Sequence, residues 1–130
     1  MRLRFISPDM HGIVDYAAGA GLMAMPFILD LGESSDLALW LSVVVGAAVW
    51  AVSALTDYKL ALRRTIPFDG HLAIDLGAAS LFMAAPFLFH FEGLDAYYYW
   101  ANATVVYLVV ALTASKPTHI EKQIRSYENH

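Results

Sequence analysis

The chain has 130 residues, of which 58% are apolar and 15% charged, with a formal net charge of −4. Soluble domains carry about 25% charged residues, so this composition excludes an ordinary water-soluble domain, and eight basic residues are too few to argue for a nucleic-acid surface. The absence of cysteine excludes disulfides, thiolate metal sites, iron–sulfur clusters and a cysteine nucleophile.

Arg2, Arg4 and Asp9 precede the first apolar run, which extends from about Gly12 to Leu29. It contains Ala17, Ala18, Gly19, Ala20 and Gly21, small residues that permit close helix approach. Pro26, a turn before its end, removes one helical hydrogen bond and bends the axis. An acidic segment, Asp30 to Asp36, leads into the second run, Leu37 to Leu55, which opens near Trp40. Asp57, Lys59, Arg63 and Arg64 follow, then Asp69 and the third run, Leu72 to Phe91, with Gly77, Ala78, Ala79, Ser80, Pro86 and His90. We expect the small residues of runs one and three to meet, Asp9 and Asp69 to cap their helices, and His90 to lie at the outer interface. A short acidic loop, Glu92 to Asp95, precedes the fourth run, Tyr97 to Ala114. Tyr97, Tyr98, Tyr99, Trp100 and Trp40 are expected to form an aromatic belt. In the tail from Lys116 to His130, Ile120, Ile124 and Tyr127 recur at helical spacing, which fits a short amphipathic helix.

Each run holds about 18–20 residues, the length that crosses a hydrocarbon core. Their composition lacks the period-two alternation of barrel strands, so they are helices. All eight basic residues lie at the N-terminus, in the central loop or in the tail. The positive-inside rule therefore places both termini and the central loop in the cytoplasm, in a multi-pass protein of the cell (inner) membrane.

An offset of sixty residues superimposes His11-Gly-Ile-Val-Asp15 on His71-Leu-Ala-Ile-Asp75, and Met23-Ala-Met-Pro26-Phe27 on Met83-Ala-Ala-Pro86-Phe87. The same offset pairs Asp9 with Asp69, Trp40 with Trp100, Val45 with Val105 and Val49 with Val109. The expected architecture is thus all-α: one membrane domain over residues 1–130, a four-helix transmembrane bundle of two parallel tandem hairpin repeats. Repeat one covers about 9–58 and repeat two about 69–115, with 116–130 as a cytoplasmic tail. The first run follows two arginines as a signal peptide would, but as half of a repeated unit it is expected to be retained.

Over roughly residues 9 to 114 the chain resembles the SPW-repeat family of small bacterial membrane proteins, whose units place Ser-Pro-Trp at the end of an apolar helix. Here the tripeptides read Met25-Pro26-Phe27 and Ala85-Pro86-Phe87, so the proline and an aromatic residue are kept while Ser and Trp are replaced. The resemblance implies a membrane protein and supplies no catalytic residues.

The chemistry-bearing residues are His11, Asp15, His71 and Asp75. A spacing of four puts each His and Asp on one helix face, and an aspartate at membrane depth is costly unless protonated, paired or turned inward. Two readings stay open. In the first, the protein is structural or accessory: the His–Asp pairs link helices one and three, or the carboxylates pair with Arg63 and Arg64. In the second, the four residues bind a divalent metal ion, ligate haem, or relay protons or ions. Nucleotide loops, zinc-protease motifs and nucleophile elbows are missing from the sequence, so an enzyme is the less favoured class. The expected partners are the lipid bilayer and a homo-oligomer or larger membrane complex, with no nucleic acid.

Overall fold

The structure, a computed structural model, describes residues 5–56, 62–63, 65–113 and 126–129. Expectations resting on Arg2, Arg4, Asp57, Lys59, Arg64 and residues 114–125 of the tail lie outside the described residues.

Four helices follow in order: α1 (Pro8–Ile28), α2 (Asp36–Leu55), α3 (Phe68–Leu88) and α4 (Gly93–Leu112). The fold is an all-α four-helix bundle. Of these, α2 and α3 are long and apolar enough to cross a membrane; α1 carries Asp9, His11 and Asp15, and α4 carries Asp95, four tyrosines and Asn102. The α1 N-cap is Ser7, whose hydroxyl accepts from Met10 N, with Pro8 beginning the helix in the position where a missing N–H costs nothing. Asp9 and Asp69 are therefore first-turn residues rather than caps, and the α3 cap position is Pro67. Both still sit where the helix dipole favours negative charge.

Pro26 and Pro86 lie inside their helices near the C-terminal ends. Their carbonyls accept from Leu31 N and Phe91 N in closing turns that require a left-handed residue. Asp30 and His90 take that role, with φ of 55° and 56°; Asp and His are among the side chains that best tolerate it. Asp30 and His90 are thus equivalent helix-ending residues.

Each hairpin packs on itself. In the first, Gly19 faces Gly46: a Cβ on Gly46 would lie 2.8 Å from the Gly19 carbonyl oxygen, and the Trp50 indole N–H donates to Tyr16 O at 2.9 Å. In the second, the Trp100 indole N–H donates to Met83 O at 3.2 Å and Ser80 Oγ lies 2.7 Å from Tyr107 Oη. The small residues of α1 and α3 consequently do not form one shared seam. Gly19 approaches α2, whereas a Cβ on Gly21 or Gly77 would meet nothing within 4 Å. The physical reason is topological: a short connection brings sequential antiparallel helices together first.

The hairpins join at their ends. At the end where α1 leads into α2, the Ser42 hydroxyl donates to Leu22 O at 2.7 Å and, its one proton committed, accepts from Tyr98 Oη at 2.6 Å. Tyr99 Oη donates to Ala38 O at 2.7 Å. Asp95 accepts from Gly32 N, Ser34 N and the Ser34 hydroxyl. Tyr98 and Tyr99 are thus buried ties between α2 and α4, not belt residues, while Tyr97 and Trp40 are 69% and 56% exposed. At the other end two short parallel bridges, Ile6 with Thr113 and Thr56 with Ile66, close the bundle.

Candidate functional site

That second end carries the predicted residues. His11 and Asp15 stand one turn apart on α1, and His71 and Asp75 stand one turn apart on α3, as the spacing requires. All four converge. His11 Nε2 lies 3.2 Å from Asp15 Oδ2 and 2.9 Å from Asp75 Oδ2. His71 Nε2 lies 3.2 Å from Asp75 Oδ2 and 2.5 Å from Asp15 Oδ2. One potential ligand atom from each residue falls within 4.8 Å of all the others. Arg63, by contrast, is exposed, and both carboxylates take imidazoles as partners.

Two threonines complete the site. Thr56 and Thr113 end α2 and α4 as their C-cap residues. Their hydroxyls donate back to Val52 O at 2.6 Å and Val109 O at 2.5 Å, satisfying carbonyls that the helix end leaves open. Each hydroxyl has only one proton, so toward the imidazoles it must accept. His11 Nδ1–H therefore donates to Thr113 Oγ1 at 2.9 Å, and His71 Nδ1–H to Thr56 Oγ1 at 2.7 Å. This fixes both tautomers: the two Nε2 atoms face the carboxylates. In a neutral imidazole Nε2 is then a lone pair, and four lone-pair atoms would confront one another in a buried box. Such a box is stable only with cations inside it, as protons on the imidazoles or as a metal ion.

The ties cross between repeats, since Thr56 of the first holds His71 of the second, and Thr113 of the second holds His11 of the first. Phe68 covers the pair, its ring parallel to His71 at 6.3 Å and edge-on to His11 at 5.5 Å. The imidazoles themselves meet edge-on, 5.4 Å apart, and both are fully buried. In this arrangement the two imidazoles pack against Phe68 and each other, with no porphyrin-sized gap between them.

Sequence reasoning found the four charged residues and missed Thr56, Thr113 and Phe68. The offset of sixty aligns Thr56 with Lys116 and so hides the threonine pair. The signal was available as a Thr closing each second apolar run. The loop between α3 and α4 is three residues shorter than that between α1 and α2, so α4 follows α2 by 57 residues.

A family model described as the SPW repeat domain matches residues 9–116, which include all four cluster residues and both threonines. Neither a curated protein nor a solved structure matches the chain.

Proposed function

The chain belongs to the SPW-repeat family, and from that membership and its cluster we propose a small four-span membrane protein that holds a divalent metal ion between its two repeats. The ion is bound by His11, Asp15, His71 and Asp75, and it clasps the hairpins at the cytoplasmic end of the bundle in the inner membrane. The observation carrying this reading is the fixed tautomer. Both Nδ1–H groups are committed to threonine hydroxyls, so both Nε2 lone pairs are directed at the same small volume as two carboxylates. Metal-ligating histidines characteristically donate their other N–H in this way. Two imidazoles and two carboxylates form a four-ligand set suited to zinc and similar ions. The basic residues flanking the runs support the orientation.

One observation favours a second reading, in which protons alone fill the box. The nitrogen–oxygen separations of 2.5–3.2 Å are hydrogen-bond lengths, shorter than the roughly 3.3 Å edges of a tetrahedron with zinc bonds of this kind. The cluster is then an imidazolium–carboxylate clasp that opens slightly to admit the ion.

Zinc titration of detergent-purified protein against a competing chelator separates the two. The metal reading expects one ion per chain, with affinity at least 100-fold lower in His11→Ala/His71→Ala. Wild-type protein that binds no zinc, yet loses thermal stability in that variant, would leave the proton clasp and overturn the metal.

A further inference from the structure

Between the end ties the hairpins part around a cavity that is partly open to the surroundings and bounded by all four helices. Asp15 and Asp75 line one part of it, Asn102 supplies one amide, and the other lining residues, such as Val45, Val49 and Phe82, are apolar. The cluster meets this space through its carboxylates: the imidazole side chains are 0–1% exposed and the Asp15 and Asp75 side chains 10% and 12%. Both aqueous ends are blocked, one by Phe68 and the imidazoles, the other by the Tyr98 and Tyr99 ties. Access is sideways instead, beside Val14 and Val105, which line the cavity and are exposed. On the reading that the helices span the bilayer, that opening faces hydrocarbon. Whatever enters arrives from the lipid phase.

We infer that this cavity binds a hydroxyl-headed lipid, its apolar body along the valines and its hydroxyl donating to Asp15 or Asp75. Complementarity selects the head. A pure hydrocarbon would leave the carboxylate oxygens facing apolar atoms, which is unfavourable. A carboxylate head, which only accepts, would set its oxygens against the Asp15 and Asp75 oxygens with no donor between them. An ammonium head gains little, because one divalent ion, or two imidazolium protons, already balances the two carboxylates. A neutral hydroxyl donor satisfies an oxygen at no charge cost. The inference goes beyond the metal site and holds for either cation in the box.

The test is solution NMR of protein with 13C-labelled valine and leucine methyls in perdeuterated detergent, with dodecan-1-ol as probe. Intermolecular NOEs from the chain are expected at Val45, Val49 and Val106, at least tenfold stronger than from dodecane or dodecanoate under the same conditions. Ala78→Phe, which fills the cavity, is expected to remove them. The comparison with dodecane uses wild-type protein alone, so it decides the matter even if that variant misfolds. 4-Octylphenol run beside dodecan-1-ol distinguishes a phenolic from a straight-chain source of the hydroxyl. NOEs confined to Val44 and Leu108, exposed residues outside the cavity lining, or equal responses to dodecane and the alcohol, would overturn the inference. Zinc titration reads the cluster separately, so failure of either result leaves the other standing.

Discussion

A threonine hydroxyl is a small group to fix a histidine, yet Thr56 and Thr113 do so because their protons are already spent on carbonyls one turn back. Replacing both with valine keeps shape and all four ligands but frees the imidazole tautomers. Thr56→Val/Thr113→Val is expected to lower zinc affinity about 10–100-fold, read by chelator competition, while an unchanged affinity would mean the tautomer is set elsewhere. Asp95 is the corresponding single residue at the opposite end of the bundle, in the first turn of α4 ahead of the fourth apolar run. Burial opposes its ionised form, but hydrogen bonds from the Ser34 hydroxyl and from backbone N–H groups of Gly32, Ser34 and Ser35 outweigh that and hold its carboxyl below the usual range. A carboxyl depressed in the folded state stabilises fully above its unfolded pKa of about 3.9, and the contribution is lost as pH falls through the lower folded value. Thermal melts are therefore expected to show wild type losing stability between pH 5 and pH 3. Asp95→Asn should start lower at neutral pH and change less over that range.

At the level of the helices, the expectation that α1 and α3 share a small-residue seam gives way to two hairpins that each pack internally. Gly46 is the contact that matters, since an added Cβ would press on the Gly19 carbonyl and on Met23 and Leu22, each within 2.9 Å. Gly46→Ala is expected to cost about 1–3 kcal/mol. Gly77→Ala, with nothing within 4 Å of the new atom, is expected to be neutral or to stabilise by up to about 1 kcal/mol. Reversible unfolding in mixed micelles measures both, and equal effects would contradict the packing described. The four helices were legible from their apolar runs, because length and hydropathy alone decide them. Which helices pair was not, because small residues line several faces and only contact geometry distinguishes a used face from an unused one. The buried roles of Tyr98 and Tyr99 were hidden for a similar reason: three consecutive tyrosines point in three directions around a helix, and the sequence does not say which two turn inward.

For the molecule as a whole, two tandem hairpins are tied into a closed unit by exchanging partners, each repeat's threonine holding the other repeat's histidine. His11, Asp15, His71 and Asp75 were legible as a site because each pair repeats at the same spacing and a charged residue inside an apolar run demands a reason. Their convergence could not be read, since it depends on how the two hairpins face one another. The threonines escaped notice because the shorter second loop moves them out of the sixty-residue register. The central claim is that this convergence holds one divalent ion by two imidazoles and two carboxylates. X-ray absorption at the zinc edge of zinc-loaded protein tests it most directly. The account predicts a first shell of nitrogen and oxygen at roughly 2.0–2.1 Å with scattering from two imidazoles, lost in His11→Ala/His71→Ala. A shell of oxygen alone, or one unchanged in that variant, would contradict it.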